Sequence, residues 1–233
     1  MYATNVLRAC TVVTVAHVVL GLGLAKFFRG EQLKGFPLYT YWHSMINTGL
    51  VFPAFLLYLA AVSPAGWLEG DGKVPADELG AAQWVQATNI GMQVASTVLS
   101  PKEVFGSPAL VVHHIITILG CFALLHPLHC AGYGAVFTAF TEFGSTFHNI
   151  MSLHSGTASR LLRVLTDVIT RGGGLLIIGI EFQISRARAL PIYLQIWTWV
   201  GGLGWFAINA QWTIQVATGL LRRQRKARDA KGK

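Results

Sequence analysis

The chain has 233 residues, 53% of them hydrophobic and only 12% charged. A soluble globular domain carries about 25% charged residues, so the composition argues against a water-soluble enzyme and for an integral membrane protein. The net charge of +8 does not signal a nucleic-acid partner. It is concentrated in Arg222, Arg223, Arg225, Lys226, Arg228, Lys231 and Lys233 against Asp229, and the rest of the chain is close to neutral.

Apolar stretches of about 20 residues, the length that crosses a bilayer, recur along the whole sequence, and seven spans are expected. The first, 9–28, follows Arg8. It could pass for a signal peptide, but no A-x-A-like site precedes Lys26 and further spans follow, so it reads as a retained helix in which His17 stands isolated. The second, 38–62, places His43 and Asn47 on one face and holds Pro53, where a kink is expected. Residues 63–80, rich in Pro, Gly and acids, read as a loop. The third span, 81–99, is the weakest by hydropathy. Its Gln86, Asn89, Gln93 and Ser96/Thr97 fall at helical spacing and form one polar stripe suited to a bundle interior. The fourth and fifth, 108–125 and 128–151, are separated by little more than His126-Pro127 and should form a tight helical hairpin. In the sixth, 162–184, Asp167 and Arg171 stand at i,i+4, an ion pair read as mainly architectural, with Glu181 further along nearly the same face. In the seventh, 192–220, Trp197, Trp199, Trp205 and Trp212 read as packing residues and interface anchors. Cys10, Cys121 and Cys130 show no metal or disulfide spacing and read as small buried residues.

The expected fold is therefore all-α: a polytopic transmembrane helix bundle of about seven spans, or six if the third does not cross. Residues 1–221 form the membrane domain and 222–233 a basic tail. The distribution of Lys and Arg, with Arg160 and Arg163 counted as loop cations, puts that tail in the cytoplasm.

Ionisable groups within apolar helices are costly and point to function. His113 and His114 lie in the run Ala109–Thr117, with Thr117 on the wedge that the two imidazoles cover. On the fifth span Thr138, Glu142, Ser145/Thr146 and Asn149 make a continuous polar face, which His148 extends. The hairpin should bring Glu142 beside the His pair as an acid/base couple or a structural hydrogen bond. A retinal protein is excluded because the last span lacks a Lys for a Schiff base, and the His residues are too few and wrongly spaced for a membrane di-iron enzyme. A b-type haem held by His17, His43, His113 or His114, and His148 is a further alternative.

His113-His114-Ile115-Ile116-Thr117 resembles the H-H-x-x-T element of the TLC domain family. Glu142-Phe143-Gly144-Ser145-Thr146-Phe147-His148-Asn149 resembles the E-x-S-T-P-F-x-N element of its TLCD and CLN8-like branch, with Gly144 and Thr146 where Ser and Pro would stand. Tyr41-Trp42-His43-Ser44 is similar to the family's early Trp and Ser/His segment. The resemblance implies a multi-pass protein of the endoplasmic reticulum or another endomembrane, concerned with lipids. The ceramide synthases of the same family continue after H-H-x-x-T into H-D-x-S-D, which is missing here. The expected function is membrane lipid homeostasis, with an acyl chain held between the second to sixth helices. His113, His114 and Glu142 would be the catalytic centre, and Thr117, Ser145, Thr146, Asn149, His43 and Asn47 the substrate contacts. If the protein is an enzyme, it is an acyltransferase. No metal or cofactor is expected, acyl-CoA would be a substrate, and the partners are membrane lipids, acyl chains and a second copy in a homo-oligomer. The alternatives are a ceramide-synthase-like N-acyltransferase using acyl-CoA and a non-catalytic cargo or lipid receptor.

Overall fold

The computed structural model describes residues 2–62, 80–125, 132–177 and 191–231. Helix α1 (Tyr2–Phe28) ends at Arg29 and Gly30, both with positive φ, the left-handed stop that frees a helix C-terminus. A hairpin that the hydropathy pattern did not suggest follows. Strands β1 (Gln32–Leu33) and β2 (Phe36–Pro37) pair antiparallel, Leu33 facing Phe36, across Lys34 and Gly35. Both turn residues have positive φ, as a two-residue turn of this kind requires. Apart from this short ladder the described residues are all-α.

Helix α2 (Leu38–Ile46) widens into a π turn over Asn47–Val51 before α3 (Phe52–Val62), with Phe52 N–H donating to Asn47 O. Pro53, where a kink is expected, stands just after this π turn and has no N–H to offer it. Helix α4 (Ala81–Leu99) is the centre of the structure. It packs on α1, on α6 (Pro108–Leu124) and on α7 (Gly132–Leu153), and residues 85–93 are buried without interruption. Its low hydropathy has a plain cause: a helix covered on all sides by protein can carry polar residues all round. The short α5 (Pro101–Phe105) leads to Ser107, whose Oγ accepts from Leu110 N–H and caps α6, with Pro108 in the first turn. Helix α8 (Thr157–Asp167) passes through a second π turn, Val168–Gly172. Helix α9 (Ile192–Lys231) is 40 residues long, about 60 Å at 1.5 Å per residue. The basic segment is its exposed end rather than a separate coil.

The side-by-side hairpin expected of the fourth and fifth spans is not what forms. Helices α6 and α7 approach at Leu124 and Gly134, and α4 packs against both. The His126-Pro127 turn, Cys130, Glu181 and the acidic loop of 63–79 lie outside the described residues. Among the described residues one segment, Ala3–Phe28, is long and apolar enough to cross a membrane by length and hydropathy, while Pro108–Leu124 is apolar but has only 17 residues.

Beside apolar clusters around Phe52 and Val85 and around Ala87 and Ile90, the interior holds many polar groups, and much of the surface is apolar. The buried set includes Gln86, Asn89, Gln93, Glu142, Arg163, Asp167 and Arg171. The exposed set includes Val12, Val15, Val19 and Leu22 on α1, Ile115, Leu119 and Phe122 on α6, and Leu161, Leu165, Val168 and Ile169 along α8 and its π turn.

Close approach of α1 and α4 depends on Gly91. A Cβ there would lie 2.7 Å from Val13 Cγ1 and 3.0 Å from the backbone nitrogen of Thr14, whereas a Cβ at Gly23 would meet nothing within 4 Å. Gly91→Ala is therefore expected to destabilise the protein by about 1–3 kcal/mol. Gly23→Ala is expected to be neutral or to raise the Tm slightly through better helix propensity. Thermal melts of the two purified variants check the contrast.

Candidate functional site

A cavity of about 430 Å3 is lined by residues of α2, α4, α6, α7, α8 and α9, among them Thr48 and Arg171 of the two π turns. Its wall holds six of the nine expected site residues: His43, His113, His114, Glu142, Ser145 and Asn149. The other three are elsewhere. Asn47 is buried, its amide donating to His43 O at 2.8 Å. Thr117 faces a narrow apolar slot of about 70 Å3 between α6, α7 and α9, with its hydroxyl unpartnered. Thr146 packs against Gly49, where a Cβ would lie 3.2 Å from its Cγ2, and its hydroxyl is likewise unpartnered.

The two histidines are held differently. His114 is buried, and its Nδ1 lies 2.9 Å from Thr97 Oγ1. That hydroxyl also stands 2.9 Å from Gln93 O, and its one proton serves one of the two contacts. When it goes to Gln93 O, Nδ1–H donates to Thr97 and Nε2 of His114 carries the lone pair. His113 packs its ring against Trp212, centroids 5.4 Å apart, and its Nδ1 has no partner. Glu142 does not orient either imidazole. Its Oε1 accepts from Asn89 Nδ2 at 3.4 Å, and Asn89 Oδ1 accepts from Gln93 Nε2 at 3.3 Å. The polar stripe of α4 thus supports both chemistries, holding Glu142 through Asn89 and His114 through Thr97. Asn149 Nδ2 donates to Ser44 Oγ at 2.8 Å, tying α7 to α2.

Comparison with protein-family models, curated proteins and solved structures finds no match. Among the described residues no three His, Cys, Asp or Glu side chains converge as a metal set.

Several groups on the wall escaped the sequence reading. Arg163, counted there as a loop cation, is buried, and its Nη1 lies 2.6 Å from Asp167 Oδ1. It is the closer partner of Asp167, since Arg171 Nε stands 3.8 Å away. Arg171 donates to Thr141 O and, at 2.7 Å, to Ser145 Oγ, and its guanidinium lies 4.9 Å from the centre of a Trp205 ring. Arg163 Nη1 also donates to Gly144 O at 3.4 Å, and Thr213 Oγ1 donates to Asp167 Oδ2 at 2.6 Å. The cluster was visible in principle, since 163, 167 and 171 repeat at i, i+4, i+8 on one helix face. The last helix contributes Asn209, Trp212 and Gln215 to the cavity, so the site is not confined to the second to sixth spans. Two of its tryptophans, Trp205 and Trp212, contact site residues rather than serving as packing alone. His17 is not isolated either: its ring meets that of His43 edge-on at 5.5 Å.

Removing the shared carboxylate would strand two buried guanidiniums. Asp167→Ala is expected to cost about 3–5 kcal/mol, the cost of breaking a buried ion pair from one side. Thr213→Val, which removes one hydroxyl hydrogen bond to the same carboxylate and leaves both ion pairs in place, should cost less, about 1.5–3 kcal/mol. Denaturation of the two variants measures the difference.

Proposed function

We propose that the chain is a polytopic membrane protein of the TLC kind that binds acyl lipids of its own membrane in the central cavity. His113, His114 and Glu142 form the polar centre of that site. The observation that carries the reading is the polar, partly unoccupied interior inside an apolar exterior. In water, dozens of exposed Leu, Ile, Val and Phe side chains would be an aggregation liability. In hydrocarbon they match the solvent, and the polar groups must then turn inward and find partners. Several inner groups are held as that setting demands: Glu142 through Asn89, His114 through Thr97, and Asp167 by two arginines. The motifs at His113-His114 and Glu142 to Asn149 support the family assignment, and the basic end of α9 suits the anionic cytoplasmic face of an endomembrane.

Acyl transfer is the second reading, and the Thr97–His114 contact favours it. In the tautomer that donates Nδ1–H to Thr97, His114 Nε2 can take a proton from an amine or hydroxyl as that nucleophile attacks an acyl carbonyl. Acyl-CoA or a membrane lipid would supply the acyl group; its thioester or ester bond breaks, and the thiolate or alkoxide leaves with the proton that Nε2 accepted.

Cells lacking the protein, given His114→Ala or Glu142→Gln protein at normal abundance, are expected to keep the lipid composition of the null. Wild-type protein should restore it. Where acyl transfer can be assayed directly, His114→Ala should lower its rate by about a hundredfold or more. Full rescue of the lipid profile by both variants would contradict a functional role for this centre.

A further inference from the structure

The cavity and the apolar slot lie end to end along the bundle. On α6 the cavity takes His113 and His114, and the slot takes Thr117, Gly120 and Leu124. On α9 the order is reversed, with Trp197, Gly201 and Trp205 facing the slot and Asn209 and Trp212 the cavity. On α7 Phe137 faces the slot and Ser145 the cavity, while Glu142 between them lines both. The two spaces therefore meet at the level of His114, Glu142 and Trp205. Their chemistry differs. The cavity is polar and its charge is balanced, because Glu142 and Glu103 line it beside Arg163 and Arg171, and Asp167 pairs with both arginines. The slot is bounded mostly by apolar side chains and glycine.

Two observations point to what the slot holds. At Gly120 a Cβ would meet nothing within 4 Å, so the wall of the slot stands back there. Thr117 is 6% exposed, and its hydroxyl has no partner. Thr14, Thr166 and Thr170 satisfy theirs on the carbonyl four residues back. A buried hydroxyl left bare is costly, and an oxygen entering beside it would relieve that cost. The slot, at about 70 Å3, admits about five to seven water-sized groups at 10–15 Å3 each. That is a short stretch of one unbranched chain, with no room for a second. We propose that the slot is the acyl-chain subsite of the lipid site. The carbonyl oxygen of the chain accepts from the Thr117 hydroxyl, the first carbons run along α6 past Gly120 towards Leu124, and the head lies in the cavity. The inference rests on the lipid-binding reading and adds which space takes the chain and which residues set how it fits. From Thr117 to Gly120 the helix rises about 4.5 Å. The three carbons beyond the carbonyl of a butanoyl chain, at about 1.5 Å per bond, stop short of Gly120, whereas an octanoyl chain passes it.

The test uses the full chain in neutral-lipid nanodiscs and two soluble probes, monobutanoylglycerol and monooctanoylglycerol, with binding to empty discs subtracted. Wild-type protein is expected to bind the octanoyl probe at least about tenfold more tightly than the butanoyl probe, from the burial of the further methylenes. In Gly120→Leu, whose side chain enters the slot without displacing a neighbour, that ratio should fall at least about fivefold while butanoyl binding is kept. Gly120→Ala should change it little. Thr117→Val, which keeps the shape of the side chain, should weaken both probes alike, by about threefold to tenfold. Affinities rather than capacities are compared, so partial loss of folded protein does not alter them. An unchanged ratio in Gly120→Leu, or equal binding of the two probes by wild type, would overturn the slot as the chain subsite while leaving the lipid reading intact. Unchanged affinities in Thr117→Val would overturn the carbonyl contact. Failure of wild type to bind either probe would overturn the lipid reading and the subsite with it.

Discussion

Asp167 sits between Arg163 and Arg171 and accepts from Thr213, and through these contacts three helices are tied into one wall. Arg163 reaches the carbonyl of Gly144 and Arg171 the carbonyl of Thr141, so α8 is fastened to α7. Thr213 and Trp205 fasten it to α9. Close approach is part of the same design, because a Cβ at Gly144 would lie 2.1 Å from Thr170 Oγ1 and one at Gly174 2.6 Å from Thr141 Cγ2. The π turn of Val168–Gly172 lies between Asp167 and the continuation of the helix and carries Arg171 itself. Such turns re-aim side chains at functional sites at a modest local cost.

The opposite wall is built on α4. Its Gln93 and Asn89 are not ligands in waiting but supports: one chain of hydrogen bonds runs from Gln93 to Asn89 to Glu142, and another from Gln93 O to Thr97 to His114. Both chains start from Gln93, so the carboxyl and the imidazole are positioned by one residue. That arrangement suits a site in which two polar groups face a common ligand without touching each other. It also explains why Glu142 and His114 can lie on one cavity without the direct contact that their helices' order in the sequence suggested.

The all-α architecture and most of the site were legible from periodicity, since His113, His114, Glu142, Ser145 and Asn149 fall on helix faces that spacing alone reveals. Thr117 and Thr146 were assigned to the right faces but to the wrong spaces, because the angle between α6 and α7 decides what each face meets, and hydropathy carries no angle. Arg163 was misplaced for a related reason. A cation near a helix start reads as a loop residue until the partner that buries it is known. The β1–β2 hairpin is too short for any alternation to show, and its only signal was Lys34-Gly35 between Leu33 and Phe36. The weakest expected span, α4, proved the most buried element, which reverses the usual use of hydropathy: low values there mark shielding by neighbouring helices.

The central claim is that the outer face of this bundle meets hydrocarbon while its polar groups turn inward. Spin labels placed singly at Val19, Leu119, Leu165 and Val200, all exposed apolar positions on four different helices, test it most directly in protein reconstituted into lipid bilayers. The account predicts that each label collides more often with dissolved oxygen, which concentrates in the bilayer core, than with a water-soluble nickel complex. Faster relaxation by the nickel complex than by oxygen at these four positions would contradict it.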